Sequence, residues 1–250
     1  MQIMRVAAIY DIHGNLPALE AVLDVILEAE VDLVVVGGDV VPGPMPLESL
    51  HSLLSLPIPV QFLQGNGEAA VLAEIAGRDS SVPEQFREMI RHSAQQIQPE
   101  YEQLIAGWPK TLRVEISGLG DVLFCHATPR SDTEVFTRST PEDLLLPIFA
   151  GARAPLVICG HTHMQFDRMI GDIRVVNAGS VGMPFGKPGA YWLLLKLDVQ
   201  LRQTTYDFGK AAERIRATSY PQAQEFAARN VLQPPTEREM LEIFTKAELK

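Results

Sequence analysis

Five short apolar runs punctuate the first two thirds of this chain: MRVAAIY from Met4, DLVVVGG from Asp32, VQFLQ from Val60, DVLFCH from Asp121 and PLVICG from Pro155. Each is continuous rather than alternating, which suits a strand buried on both faces and hence a layered α/β fold. After the first run Asn15 can cap a helix with Pro17 in its first turn, and Leu16, Leu19, Leu23 and Ile26 then repeat at helical spacing. Strand, helix, strand is the βαβ signature. Later the pattern turns to hairpins, with TLRVEISGLGDVLFCH bending at Gly118 and Gly120 and FDRMIGDIRVVNAG at Gly171-Asp172. Two more β-rich runs follow, AYWLLLKLD from Ala190 and QTTYDF from Gln203. The tail reads as helix, with Thr236 and Glu239 spaced as a capping box ahead of Met240, Leu241, Phe244 and Ala247. The expectation is two packed sheets flanked by helices. They form one domain over 1–250, with a helical insertion at about 78–108 and C-terminal helices at about 210–250.

Each of the five runs ends on a side chain able to bind a metal. DIH gives Asp11 and His13, GGD gives Asp39, GN gives Asn66, the fourth run ends at His126, and GHTH gives His161 and His163. In open α/β sheets ligands bind in the crevice beyond the carboxyl ends of the strands. Residues two apart in an extended segment point to the same side, so Asp11 with His13, and His161 with His163, can each act as a pair. Singly, such an aspartate reads as a turn or cap residue and such a histidine as a boundary residue. Carboxylate, imidazole and amide together at five strand ends point to a metal site. His51 and His92 fall in helical patterns and read as surface or boundary residues. Within VQFLQGNGE, Gly65 lets the chain bend out of its strand. As a neutral oxygen ligand, Asn66 would leave its metal more electron-poor than a carboxylate would, hence a stronger Lewis acid. The plain alternative is an asparagine accepting positive φ in a tight turn.

Composition removes other classes. With 21 Lys+Arg against 31 Asp+Glu, the formal net charge of −10 opposes sequence-independent attraction to nucleic acid or anionic lipid. An anionic ligand must be drawn by a local site, and no sequence-specific nucleic acid partner is expected. Cys125 and Cys159 lie inside apolar runs and read as buried thiols. The opening MQIMRVAAIY is too short and too soon charged for a signal peptide, and no uncharged apolar stretch nears the ~18 residues of a membrane helix. A cytoplasmic protein without a membrane partner is expected.

The series DIH, GGD, GN, H, GHTH resembles that of the calcineurin-like metallophosphoesterases, in particular their small prokaryotic phosphodiesterase and phosphatase branch. The likeness spans roughly Arg5 to Gly182 and includes NAGSVG from Asn177, similar to the family's glycine-serine loop. The resemblance implies a four-layer α/β/β/α sandwich of two mixed sheets carrying two metals. One would be held by Asp11, His13 and His163, the other by Asn66, His126 and His161, with Asp39 bridging. Mixed oxygen and nitrogen ligands suit Mn, Fe, Zn or Ni without selecting among them. Asp39, Asn66 and His126 would act in catalysis through the metals, a bridging hydroxide attacking phosphorus in line. Many members carry histidine after the asparagine, proposed as the general acid; this chain has Gly67, followed by Glu68.

Glu68 reads either as a partner orienting a ligating imidazole or as an acid at a helix start. Arg130, in HATPR, is a candidate bidentate phosphate contact. Asn15 is a second candidate for the same oxygen, with helix capping competing. Gly179 and Ser180 suggest a tight loop supplying amide donors, or a plain turn. In the insertion, Phe86, Met89, Ile90 and Ile97 are spaced for one apolar face that caps the site, contacts another subunit in a homo-oligomer, or packs on the sheet. The expected substrate is a phosphodiester or activated phosphate ester, nucleotides included. A non-catalytic scaffold of the same fold that binds protein partners is one alternative, with Gly67 as its mark. A Ser/Thr protein phosphatase is another, weakened because GGDVVPGPMP lacks the arginine that branch carries after its bridging aspartate.

Overall fold

The computed structural model describes residues 4–78 and 82–249. The first three residues, positions 79–81 of the insertion and Lys250 lie outside the described residues. The first half alternates strand and helix: β1 (Val6–Ile9), α1 (Leu16–Glu28), β2 (Leu33–Val36), α2 (Pro46–Leu54), β3 (Val60–Phe62), α3 (Asn66–Ile75), α4 (Glu84–Gln96) and α5 (Pro99–Ala106). Then follow β4 (Thr111–Ile116), β5 (Gly120–Cys125), α6 (Glu142–Phe149), β6 (Leu156–Cys159), β7 (Phe166–Ile170), β8 (Ile173–Asn177), β9 (Ala190–Leu195) and β10 (Val199–Thr204). The chain ends in α7 (Phe208–Arg216), α8 (Ala223–Phe226), a π-helical turn (Ala227–Leu232) and α9 (Glu237–Thr245).

Two mixed five-stranded sheets result, ordered β10-β9-β1-β2-β3 and β4-β5-β6-β8-β7. Alternation along each strand sorts its side chains into two layers. In the first sheet, Val6, Ala8, Leu33 and Val35 face the second sheet and meet Val122, Phe124, Leu156 and Ile158. Their neighbours Ala7, Ile9, Val34 and Val36 face outward onto Leu19, Val22 and Ile26 of α1 and Leu50 and Leu53 of α2. The second sheet turns Leu123, Val157 and Val175 toward Leu145, Ile148 and Phe149 of α6. These are the four α/β/β/α layers, and they explain the continuous apolar runs of β1, β2 and β6, whereas β3, expected to be buried on both faces, is a partly exposed edge strand with Gln61 outermost. Cys125 and Cys159 are free thiols buried in the α6 layer. Among the described residues no helix is long and apolar enough to cross a membrane.

Asn15 caps α1, its Oδ1 accepting from the Ala18 N–H, and Thr236 with Glu239 forms the capping box of α9. Two expectations shift. The last strand occupies Val199–Thr204 rather than starting at Gln203, because a turn closed by the Lys196 N–H on the Asp198 carbonyl sets Val199 opposite Leu195. The C-terminal helices accordingly begin at Phe208, capped by Asp207. The expected single apolar face of the insertion is divided. Ile90 and Ile97 are buried in the helix-layer core, whereas Phe86 stays 44 % exposed.

Candidate metal centre

β1, β2 and β3 run parallel, as do β5 and β6 in the other sheet, so the ends carrying Asp11, Asp39, Asn66, His126 and His161 meet on one side of the sandwich. Five of the seven candidate ligands share one backbone feature. Asp11, His13, Asp39, His161 and His163 lie in the left-handed region, with φ of 54°, 49°, 57°, 67° and 57°. Each such non-glycine residue costs on the order of 1–3 kcal/mol and persists only where its surroundings fix it. Here the loops are laced together. The Asp11 N–H donates to the Gly38 carbonyl (3.1 Å), the His13 N–H to the Asp39 carbonyl (2.8 Å), and the His161 N–H to Asp11 Oδ2 (2.8 Å).

The side chains converge. Asp11, His13 and His163 bring one ligand atom each within 4.8 Å of one another, and so do Asp11, Asp39 and His126. Asp39 Oδ2 lies 3.7 Å from His13 Nε2 and 3.7 Å from His126 Nε2, the equidistance a bridging carboxylate needs. Asn66 Oδ1 lies 2.9 Å from His126 Nε2. His161 lies outside both close groups, but its ring is 5.2 Å from that of His126. The far nitrogens of three rings are tied to backbone carbonyls: His13 Nδ1 to Pro42 (3.3 Å), His126 Nδ1 to Gly37 (2.8 Å) and His163 Nδ1 to Met183 (2.8 Å). Such ties fix the tautomer and leave Nε2 directed inward, the arrangement found around metal-bound histidines.

Charge and lone pairs call for a cation at this point. Asp11 Oδ1 is buried without a hydrogen-bond partner, 3.4 Å from His163 Nε2 and 3.9 Å from both His13 Nε2 and His126 Nε2. With their Nδ1 atoms donating to carbonyls, His13 and His163 face each other through Nε2 at 3.2 Å, lone pair toward lone pair. A shared proton or a metal ion reconciles these contacts. Burial pushes the His161 imidazole down to about 4, and also lowers His13. Burial acts the same way on His126 and His163, but the neighbouring carboxylates outweigh it and raise both. Burial opposes the ionised form of Asp11, yet the imidazoles of His163, His126 and His13 hold its carboxyl well below the usual range. The donor set therefore fits divalent metal ions, which would supply the positive charge that protons on imidazole otherwise provide.

Glu68 is fully buried on the helix side of this floor and touches none of the imidazoles. It accepts backbone N–H bonds from Asp39 (2.8 Å), Val40 (2.6 Å), Val41 (3.3 Å) and Gly65 (2.8 Å), clamping the loop after β2 to the loop after β3. Burial, then the Asp39 charge, pushes its carboxyl up to about 7 against the pull of these donors. Gly67 is explained by space. Its N–H donates to Asp39 Oδ1 (2.7 Å), and a Cβ there would overlap the Pro42 ring and sit 2.7 Å from Asp39 Oδ1. Gly65 likewise has an ordinary extended backbone at φ −90°, so its role is close approach to Asp39 and His126 rather than an unusual bend.

The two candidate phosphate contacts are not brought to the site. Arg130 is 56 % exposed and held by Glu134 one turn on, with Nε 2.8 Å from Oε1. The amide of Asn15 is buried and engaged at both ends, Oδ1 capping α1 and Nδ2 donating to the Gly182 carbonyl at 2.9 Å. The Gly179-Ser180 loop braces β1 instead of offering free donors. Ser180 Oγ donates to the Asp11 carbonyl (2.7 Å), and the Val181 and Gly182 N–H groups bond the Tyr10 and Asp11 carbonyls (3.0 Å each). Above the ligands opens a cavity of about 920 Å³, floored by His13, Asp39, Asn66 and His161. Phe86 and Met89 of α4 line it, and Tyr220 after α7, Phe226 of α8 and Met240 of α9 form a second, C-terminal wall, against whose Tyr220 and Phe226 cluster Met89 packs. The β-run and helix patterns carried no sign of this second wall; the bulky apolar residues left over in the tail were the available signal.

Two substitutions test this construction. Glu68→Gln puts an amide NH₂ against backbone N–H donors and should cost about 1–3 kcal/mol in denaturant unfolding, with weaker metal uptake. Unchanged values would show that the clamp is dispensable. Gly67→Ala should cost a similar ~1–3 kcal/mol by overpacking and lower metal content measured by mass spectrometry; normal metal content at wild-type stability would refute the spatial account.

No curated protein matches the chain at the sequence level. Among solved structures the fold is similar to the hypothetical protein PH1004 from Pyrococcus horikoshii OT3, with TM-score 0.80, 19% identity, and coverage of 93% of this chain and 100% of that one. It is also similar to a metallophosphoesterase from Sphaerobacter thermophilus, with TM-score 0.71, 25% identity and coverage of 92% and 100%. Vacuolar protein sorting 29 from Cryptosporidium parvum shares the fold at TM-score 0.51 and 17% identity, over 82% of this chain and 93% of that one. Residues 4–200 match the sequence model of the calcineurin-like phosphoesterase superfamily domain. The ligand-bearing strand ends all lie within that match, and the chain belongs to the calcineurin-like phosphoesterase superfamily.

Proposed function

We propose that the protein is a dinuclear-metal-dependent phosphohydrolase of phosphodiesters or activated phosphate esters, acting in the cytoplasm. The observation that carries this reading is Asp39 Oδ2 standing equidistant from imidazoles of two strand ends, beside the orphaned Asp11 Oδ1. Asp11, His13 and His163 would hold one ion, Asn66, His126 and His161 the other, and Asp39 both. The same Asp11 Oδ1 also lies 3.9 Å from His126 Nε2, which brings it close to the second set. Bound divalent ions, whether Mn, Fe, Zn or Ni, supply Lewis acidity and an activated water for in-line displacement at phosphorus.

The protein's own part is positional. Glu68 fixes the backbone of Asp39, and the Gly67 N–H fixes its carboxylate plane. The carbonyls of Pro42, Gly37 and Met183 aim three imidazoles. Gly67 leaves the position of the usual acid without a proton donor, and the space beside it is filled by Pro42 and Asp39. The leaving oxygen must then depart without protonation from that position.

Asp39→Asn should lower metal occupancy and reduce turnover of aryl phosphodiesters by at least the order of 10²-fold, since even a residue behind a ligand costs 10–100-fold. Full hydrolysis by the exhaustively chelated wild type would remove the reading. Full metal loading with no turnover of any phosphate ester would favour the scaffold alternative instead. The missing acid predicts a steep dependence of kcat/KM on leaving-group pKa. Simple alkyl monoesters should trail aryl esters by about 10²–10⁴-fold beyond a series with general acid assistance. A flat dependence would mean another group donates the proton.

A further inference from the structure

The cavity above the ligands has two parts of different origin. Its floor belongs to the strand ends within residues 4–200, the extent of the family match. Much of its outer wall comes from residues beyond that match: Tyr220, Gln222, Phe226, Arg229, Asn230 and Met240. The α4 insertion adds Phe86 and Met89, the latter packed against the C-terminal cluster of Tyr220 and Phe226. We propose that this outer chamber is the specificity pocket for an aromatic arm of the phosphate ester, the ring lying between Phe86 and Met240 while its phosphoryl group sits on the metal ligands. This rests on the phosphohydrolase reading of the floor.

Three observations favour an aromatic arm. The chamber is continuous with His13, Asp39, Asn66 and His161, so an arm attached to phosphorus there enters it directly. About 920 Å³ lies at the upper end of the range for small-molecule pockets and far exceeds the room a phosphate needs. Its lining supplies ring and sulfur contacts together, since Phe86, Phe185, Tyr220 and Phe226 surround it with Met89 and Met240. Aromatic pairs gain beyond area burial, and methionine sulfur adapts to ring edges. Phe86 remains 44 % exposed although its helix has a core to pack on, as expected of a side chain whose partner is a ligand. At the rim, Gln222, Asn230 and Arg229 offer donors, and Asp132 and Glu225 offer acceptors, for polar atoms on such a ring. Among the described residues no hydrogen bond or ion pair holds Arg229, whose charge helps to lower the Glu239 carboxyl.

The test uses the full chain loaded with Mn²⁺ and a set of 2,2,2-trifluoroethyl phosphodiesters, whose leaving group carries no ring, differing only in the second arm: methyl, octyl, phenyl or 5′-thymidyl, with release of trifluoroethanol followed by fluorine NMR. The wild type should prefer phenyl or thymidyl over methyl and octyl, and preference between those two separates a plain ring from a nucleoside. In the double variant Phe86→Ala/Met240→Ala, kcat/KM should fall about tenfold for the ring-bearing substrates and stay within about twofold for methyl, the loss expected for part of a buried ring's contact. Equal losses on all arms, no loss on any, or an octyl preference would overturn the proposal. Binding of 1-naphthylmethylphosphonate and methylphosphonate by calorimetry decides the matter independently of turnover. Tighter naphthyl binding, lost in the variant, supports the pocket even if no ester is hydrolysed, an outcome that would discard the phosphohydrolase reading alone. Equal affinity for the two phosphonates would overturn the pocket even in an active enzyme.

Discussion

Two carboxylates brought into the seam between two sheets set the terms for everything around them. Asp11 is fully buried and Asp39 nearly so, and ionised groups in such positions are tolerated only when paired. The pairing comes from imidazoles at other strand ends, whose inward nitrogens crowd the carboxylate oxygens at 3.4–3.9 Å. A third buried carboxylate, Glu68, stands close by without adding to the demand at the centre, because its oxygens are occupied by backbone N–H groups. Its acceptor oxygens clamp the loop after β2 to the loop after β3 beside Asp39. The site is thus arranged in charge as well as shape before any ion enters.

That arrangement has a backbone cost, and its distribution is informative. Left-handed conformations at Asp11, His13, Asp39, His161 and His163 put five strained residues at three strand ends, each among the candidate ligands. The compensating bonds cross between loops and between sheets: His161 to Asp11, Gly160 to His126, Ser180 to Asp11. Loss of one tie therefore releases strain at a neighbour, and ligand geometry and inter-sheet packing become one cooperative unit. The glycine-serine loop belongs to this unit as a brace on β1.

What the sequence made legible was whatever depends on local pattern. Doubly buried strands show as continuous apolar runs, Asn15 and Thr236 show as caps, and the ligands show because a strand end is a fixed place in an α/β layer. What it hid depends on loops distant in sequence meeting in space. The reason for Gly67 lies with Pro42, in the loop after β2, and no spacing rule connects the two. Glu68 was read as a helix-start acid or an imidazole partner; it does reach back to Gly65, but its other bonds go to the loop after β2, which only the parallel pairing of β2 with β3 brings near. Arg130 is a different case, since its ion pair with Glu134, four residues on, is local and can be read from spacing alone. The last strand was displaced because its register is set by the turn at Lys196–Asp198 rather than by its own composition.

The division of the cavity follows from the same distinction. Ligands mounted on strand ends inherit the stiffness of ladders buried on both faces, so their positions tolerate little change. The outer wall is carried by α4 and by a C-terminal segment broken into short helices and a π turn, tied to the rest by contacts such as Arg214 with Glu20 on α1. A π turn rotates the residues that follow it relative to a regular helix, and such turns gather at functional sites. Here Arg229 and Asn230 sit within it and line the cavity. Side chains on such a wall can be exchanged without shifting Asp39 or the imidazoles, and in the proposed function one floor could thereby serve different ester arms. On the proposed reading the sheets fix the candidate ligands, and the helices that cover them select the ester.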